Sequence, residues 1–161
     1  MVFLLTIVAF ALDRLSKWWA ATYLAQQGPV QVHELLTLRA ITNRGMAFGW
    51  LQGIGPWMGW ISILIIGGLI LYLLRLPRNA SLMRAGLALL IGGALGNLVD
   101  RVVAGEVLDF ITTPLLPWVF NLADIFINGG MLIFIAASFF QHPETERPEP
   151  EDSTSSLDEL H

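Results

Sequence analysis

Two aspartates, Asp109 and Asp124, lie in parts of the chain that are otherwise strongly apolar. Each falls where one apolar stretch ends and the next begins, and neither has a lysine or arginine within one helical turn. An ionisable group at membrane depth is costly and is by default a functional-site hypothesis. Two carboxyls close together in a low dielectric share a proton, so one acts as a base and the other as an acid. The pair predicts attack of water on a carbonyl, with one carboxylate accepting a proton from water and its partner donating to the carbonyl oxygen.

Charged residues in two other apolar segments form a second group. Asp13 and Lys17 are four residues apart, in the favoured order for a helical ion pair, so we interpret both as structural. Asp100 directly precedes Arg101. We expect these two charges to neutralise each other or to bind loop backbone, which also makes Asp100 a structural polar residue. Arg101 has a second interpretation, because a guanidinium binds a carbonyl or a lipid headgroup well.

Asparagines recur at helical spacing beside these acids. Asn97 shares a helix face with Asp100, and Asn121 and Asn128 share one with Asp124. At a rise of about 1.5 Å per residue, the polar residues of three predicted helices lie at a similar depth. We therefore expect one polar cluster, in which the asparagines either join helices or hold a peptide and orient an acid.

The elements that must position these residues are predicted by hydropathy. The 161 residues are 55% hydrophobic and 14% charged, which is outside the range of soluble globular domains. Four apolar stretches approach or exceed the roughly 20 residues that a spanning helix needs. We interpret the first as retained, because it lacks the basic start of a signal peptide. The prediction is an all-α membrane protein with four transmembrane helices at about 2–24, 57–76, 82–103 and 115–140.

The long connection between the first two helices has its own structure. Residues 30–33 and 36–41 alternate apolar and polar side chains, which predicts a small extracytoplasmic β-sheet. The following residues, 45–57, are rich in glycine and tryptophan and are either a mobile flap or an interfacial anchor. The short connection after the second helix is flanked by arginines at 75, 78 and 84. By the positive-inside rule, that connection and both termini are cytoplasmic.

The remaining composition divides the chain and excludes several functions. Residues 1–141 form the predicted membrane domain, and 142–161 form an acidic tail that we expect to be disordered and cytoplasmic. No basic run suggests nucleic-acid binding. Cysteine is absent and the three histidines lack ligand spacing, so we expect neither thiol chemistry nor a metal or other cofactor.

Five short motifs follow one another along the chain. They are Asp13-Arg14-Leu15-Ser16-Lys17, Asn43-Arg44-Gly45-Met46-Ala47-Phe48, Gly92-Gly93-Ala94-Leu95-Gly96-Asn97-Leu98-Val99-Asp100-Arg101, Val107-Leu108-Asp109-Phe110 and Phe120-Asn121-Leu122-Ala123-Asp124. In this order they resemble the motifs of the lipoprotein signal peptidases, or signal peptidase II, which are bacterial membrane aspartic endopeptidases.

The resemblance implies a function and assigns roles. The implied reaction removes the signal peptide from a diacylglyceryl-modified prolipoprotein by cutting on the N-terminal side of the lipidated cysteine. The implied partners are this substrate and membrane lipid, and we expect a monomer in the bacterial inner membrane with its active site near the outer leaflet. The implied roles are a catalytic dyad of Asp109 and Asp124, substrate-binding side chains at Asn43, Asn97, Arg101 and Asn121, and a structural motif at Asp13 and Lys17.

Two other functions are compatible with intramembrane polar residues. A small transporter or proton relay also uses acids and asparagines, but it needs polar residues through the whole span. Residues 4–11 and 131–139 are almost purely apolar, so no continuous path is evident. A purely structural scaffold would account for the asparagines and leave Asp109 and Asp124 without a purpose.

Overall fold

A computed structural model describes residues 1–43 and 55–140. Residues 44–54, which include most of the predicted flap or anchor, and residues 141–161, which include the acidic tail, lie outside the described residues. The helices are α1 (Val2–Trp19), α2 (Ala25–Gln27), α3 (Gly55–Arg75), α4 (Ser81–Ala104) and α5 (Leu122–Phe140). A π-helical turn, Ala20–Leu24, joins α1 to α2. The strands are β1 (Val30–His33), β2 (Leu36–Asn43) and β3 (Val107–Thr112).

Three helices in the described ranges are long and apolar enough to cross a membrane. They are Trp57–Arg75, Ser81–Ala104 and Leu122–Phe140, which correspond to the last three predicted spans. The first predicted span is helical from Val2 through the π-helical turn, but it carries three charged residues in its second half. The architecture is therefore mostly helical, with a membrane-spanning core and a small sheet at one end.

Helix α4 is the centre of the helical bundle. It packs against α1, α3 and α5. Half of the residues in its most apolar stretch are buried inside the protein, compared with 22% for α3 and 17% for α5. Glycines allow this close packing. A Cβ atom at Gly86 would lie 2.7 Å from the Gly130 carbonyl oxygen, and one at Gly130 would lie 2.5 Å from the Gly86 carbonyl oxygen. A side chain at either position would push α4 and α5 apart.

The small sheet is antiparallel, with the strand order β1-β2-β3. The prediction of a sheet after the first helix is confirmed for β1 and β2, whereas β3 was not predicted. Phe110 of β3 packs with Ala20 and Leu24, so the sheet rests on the π-helical turn at the end of α1. Pairing brings Ile41 opposite Asp109 and Asn43 opposite Val107. The sheet therefore connects the loop after the first helix to the segment that carries the first candidate acid.

The prediction that the last helix begins near 115 was wrong, because α5 begins at Leu122. Prolines at 114 and 117 disfavour helical backbone in their vicinity. The chain instead returns to the sheet, where the Phe120 N–H donates to the Ile111 carbonyl at 3.0 Å and the Ile111 N–H donates to the Phe120 carbonyl at 2.8 Å. This bridge delivers Asn121 to the edge of the sheet at the start of α5.

Candidate active site

Asp109 projects from the middle of β3 and is only 4% exposed. Asn43 lies diagonally across the β2–β3 pair, a position from which side chains on one face of a sheet can touch. Its Nδ2 donates to Asp109 Oδ2 at 3.1 Å. The register of the sheet thus positions the first acid and one of its amide partners.

Asp124 lies in the first turn of α5 and forms a capping box with Asn121. The Asp124 N–H donates to Asn121 Oδ1 at 3.0 Å, and the Asn121 N–H donates to Asp124 Oδ2 at 3.1 Å. Such reciprocal bonds satisfy helix N–H groups that lack an intrahelical partner. The positive end of the helix dipole also stabilises a carboxylate at this position. The same local structure therefore starts α5 and fixes the second acid.

Two amides connect the carboxyls of Asp109 and Asp124, the pair called the dyad below. Asn121 Nδ2 donates to Asp109 Oδ1 at 2.6 Å and to Asn97 Oδ1 at 3.1 Å. Asn97 Nδ2 donates to Asp124 Oδ1 at 2.9 Å. The structure confirms the expectation of one polar cluster, and it places the NH2 group of each amide against a carboxyl oxygen.

A second group, called the ion-pair cluster below, consists of Asp13, Arg14, Lys17 and Asp100. Lys17 Nζ lies 3.0 Å from Asp13 Oδ2 and 2.8 Å from Asp100 Oδ2, and Arg14 also pairs with Asp100. The predicted pairing of Asp13 with Lys17 is confirmed. The predicted neutralisation of Asp100 by Arg101 was wrong, because Asp100 turns toward α1, where two cations are available.

The ion-pair cluster also contacts the start of α5. Asp13 Oδ1 accepts a hydrogen bond from the Ala123 N–H at 2.9 Å, and Lys17 Nζ donates to Asn97 Oδ1 at 2.8 Å. Asp13 thereby caps a second free N–H group of α5, one residue before Asp124. It also lies against Gly96, where a Cβ atom would collide with its carboxyl group. Helix α1 is thus attached to both helices that carry the amides and Asp124.

The environment of Asp109 disfavours its ionised form. Burial raises the pKa of this carboxyl from 3.8 to about 6, and the nearby Asp124 charge acts in the same direction. Hydrogen bonds from Asn43 and Asn121 and the more distant Lys17 charge oppose the rise. In the described part of the chain no lysine or arginine lies within ion-pair distance of either dyad carboxyl. A carboxyl in such surroundings can hold a proton near neutral pH.

The dyad opens on a cavity of about 1400 Å³. Asn43, Asn97 and Arg101 also line it, whereas Asn121 is fully buried behind the two acids. Arg101 makes one long hydrogen bond, 3.3 Å, to the backbone carbonyl of Asn97. The rest of the wall is largely apolar and comes from α3, α4, α5 and the segment 116–120 that precedes α5, with Ile65, Ile66, Ile125, Ile127 and Met131 among its residues.

Asn128 lies beside the dyad, and two groups around the site were not predicted from the sequence. Asn128 lines the cavity and donates to the backbone carbonyl of Asp124 at 2.8 Å. Arg14 was not singled out, although its place beside Asp13 in the first motif was a usable signal. The Ala123 N–H could not be identified from residue type. Within the described ranges no group of three acids or histidines gathers to hold a metal ion.

Comparison with known proteins gives one consistent result. A family model described as signal peptidase (SPase) II matches residues 5–140. The lipoprotein signal peptidase of Hydrogenovibrio crunogenus is 32% identical over 150 residues, covering 89% of this chain and 87% of that protein. That of Geobacillus thermodenitrificans is 38% identical over 149 residues, covering 88% and 92%. A solved structure described as a bacterial membrane enzyme superposes with a TM-score of 0.81 at 28% identity, covering 93% of this chain and 94% of that one. The chain belongs to the signal peptidase II family.

Proposed function

We propose that this chain removes signal peptides from diacylglyceryl-modified prolipoproteins by aspartic catalysis, with Asp109 and Asp124 as the catalytic dyad. The observation that carries the proposal is the pair of carboxyls joined through Asn97 and Asn121 at one cavity. The family relationship supports the prolipoprotein substrate and does not favour the transporter or proton-relay alternative.

The mechanism requires one protonated and one ionised carboxyl. We assign the proton to Asp109, because burial and the Asp124 charge raise its pKa to about 6. Asp124, at the positive end of the α5 dipole, accepts a proton from water as the water oxygen bonds to the scissile carbonyl carbon. Asp109 donates its proton to the carbonyl oxygen. When the tetrahedral intermediate collapses, the C–N bond breaks, the amine leaves with the proton from Asp124, and the hydroxyl proton returns to Asp109.

The remaining side chains suit a lipidated peptide. We propose that Asn43, Asn97 and Arg101 bind polar atoms of the substrate at the cavity wall. Asn121, which does not line the cavity, would instead hold both carboxyls in place. The isoleucines of α3 and α5 give the cavity an apolar surface that suits acyl chains. Lateral entry of the substrate between these two helices would keep its acyl chains within the bilayer throughout.

We further propose that α1 is a fourth transmembrane helix. Its charged residues Asp13 and Lys17 are buried inside the protein, while its outward side chains, such as Leu4, Ile7 and Leu15, are apolar and exposed. Buried charged residues together with exposed apolar residues are the distribution expected of a helix surrounded by lipid. The arginines near the α3–α4 connection support cytoplasmic termini and a dyad near the outer leaflet of the bacterial inner membrane.

The proposed peptidase domain is 1–141, and it is proposed to act as a monomer. On this view the acidic tail 142–161 is separate from the catalytic machinery. A chain truncated after Gln141 should therefore cleave substrate at the wild-type rate. Loss of cleavage in a folded truncated chain would instead make the tail part of the enzyme.

The decisive experiment measures cleavage of a diacylglyceryl-modified prolipoprotein peptide by purified wild type, Asp109→Asn and Asp124→Asn. Each variant should lose about 10²–10⁴-fold in kcat, the range associated with general acid–base groups, while remaining folded by thermal unfolding. Glu34→Gln is the matched control, because it makes the same carboxyl-to-amide change at an exposed site in the β1–β2 connection and should leave kcat unchanged. Near-full activity in either folded dyad variant would exclude the two-carboxylate mechanism and reopen the proton-relay alternative.

A further inference from the structure

Lys17 is a buried cation with more partners than charge neutralisation requires. Its ammonium group has three N–H donors, and three acceptors lie within 3.0 Å: Asp13 Oδ2, Asp100 Oδ2 and Asn97 Oδ1. The two carboxylates alone would balance Lys17 and the adjoining Arg14. The third contact is with the neutral amide of Asn97, which in turn donates a hydrogen bond to Asp124 of the dyad.

This contact determines how the Asn97 amide is turned. If its NH2 group faced Lys17, donor would meet donor in a buried site, which is strongly unfavourable. The Asn97 oxygen therefore faces Lys17 and the Asn97 NH2 group faces Asp124. The same oxygen accepts from Asn121 Nδ2, which also donates to Asp109. One cation thus sets the direction of the hydrogen bonds that reach both acids.

We infer that Lys17 is a positioning residue for the dyad, which orients the Asn97 and Asn121 amides toward the two carboxyls. The inference rests on the proposed function and assigns to Lys17 a role beyond the structural one expected from sequence. Lys17 also opposes the burial-driven rise in the pKa of Asp109, although the two groups belong to different elements.

Charged and amide side chains face the dyad from four elements of the structure. Helix α1 contributes Lys17, α4 contributes Asn97 and Arg101, β2 contributes Asn43 and α5 contributes Asn121. Asp13 and Asp100 reach the dyad electrostatically through their pairing with Lys17. Removing the Lys17 charge should therefore make the Asp109 proton harder to lose, whereas a purely structural Lys17 would affect only the folded fraction.

The test uses the double variant Lys17→Met/Asp13→Asn, because Lys17→Met alone would leave buried carboxylates short of a cation. The double variant removes one charge of each sign, and an asparagine at 13 can still accept from the Ala123 N–H. We expect thermal unfolding close to that of wild type and a loss in kcat of about 10–100-fold, a range typical of residues that orient catalytic groups. The alkaline limb of the pH profile of kcat, which reports loss of the Asp109 proton, should move to higher pH.

Arg14→Gln is the matched control. It removes a cation from the same helix and from the same Asp100 partner, but it leaves the bond between Lys17 and Asn97 in place. Its pH limbs should coincide with those of wild type. If the double variant does not fold, Asp100→Asn provides the second test: it removes a negative charge that offsets Lys17, so the alkaline limb should move to lower pH.

Two results would overturn the inference: a folded double variant with a wild-type kcat and alkaline limb, or, where that variant does not fold, an unmoved alkaline limb in Asp100→Asn. The dyad variants Asp109→Asn and Asp124→Asn are measured in the same series. If either retains cleavage, the proposed dyad itself has failed. If both are inactive while the Lys17 variant behaves as wild type, only the positioning role of Lys17 has failed.

Discussion

The ion-pair cluster and the dyad each contain two buried or partly buried aspartates, and they share a border at Asn97, yet their surroundings differ in kind. Asp13 and Asp100 each lie within 3.0 Å of Lys17, and Asp100 has Arg14 as well. In the described residues, Asp109 and Asp124 are held by N–H groups of asparagines, with no cation at ion-pair distance. The first pair joins helices through ion pairs, whereas the second pair is held by neutral amides.

The contrast has a simple electrostatic basis. A buried carboxylate that forms ion pairs with cations from another helix ties the two helices together. A carboxyl beside amides and another carboxyl can change its protonation state at moderate pH, as the pKa of about 6 for Asp109 indicates. The ion-pair cluster, by contrast, fastens α1 to α4 and to the start of α5.

The largest expected effect on stability comes from breaking the ion-pair cluster at Asp13. Asp13→Ala removes one partner of a fully buried ion pair and the cap on the Ala123 N–H, so it should lower the free energy of unfolding by about 3–5 kcal/mol. The measurement is thermal or denaturant unfolding in detergent micelles. Asp13→Asn, which can still accept from the Ala123 N–H, should cost less. Wild-type stability in Asp13→Ala would remove the distinction between the two regions.

A substitution in the dyad is expected to raise the free energy of unfolding rather than lower it. Because the folded pKa of Asp109 lies above its reference of 3.8, the folded protein binds more protons between pH 3.8 and about 6, and stability falls as pH rises through this window. Asp109→Asn removes this penalty of about 3 kcal/mol at pH 7.5, but its NH2 group must then face one of the two amide donors, so the net stabilisation should be smaller than that.

The stabilisation of Asp109→Asn should disappear as pH falls toward 3.8. Unfolding curves of wild type and variant across pH 4 to 8 measure it, with Glu34→Gln as a control that shows no such divergence. A variant that is destabilised equally at every pH would show that Asp109 is a structural acid like Asp13.

The smallest effect is expected at the solvent-accessible edge of the ion-pair cluster. Arg14 has a side-chain exposure of 34%, and its partner Asp100 keeps Lys17 when Arg14 is removed. Arg14→Gln should therefore cost no more than about 1 kcal/mol in unfolding experiments, as partly exposed ion pairs usually do. A loss as large as that of Asp13→Ala would mean that the cluster acts as one indivisible unit.

Much of the helical architecture was predictable because apolar stretches of spanning length leave few alternatives. The start of α5 was mispredicted because apolar residues at 115 to 120 extended the hydropathy signal. A local signal did exist, since Asn121 and Asp124 have capping-box spacing. By contrast, β3 had no such signal, because its pairing with β2 joins residues more than sixty positions apart.

The same limits apply to the site. Residue type and helical spacing sufficed to select both dyad acids, the amides at Asn97 and Asn121, and the pairing of Asp13 with Lys17. The partners of Asp100 could not be selected in this way. Sequence adjacency favoured Arg101, but consecutive helical residues point in different directions, and Asp100 faces α1 instead.

The two dyad acids are carried by structures with different attachments. Asp124 is built into a membrane-spanning helix, whereas Asp109 sits on a strand whose sheet rests on one turn of α1 through Ala20, Leu24 and Phe110. The separation of the two carboxyls therefore depends on how the sheet is docked as well as on how the helices pack. Phe110, although it does not line the cavity, thereby helps to set the distance between the two acids.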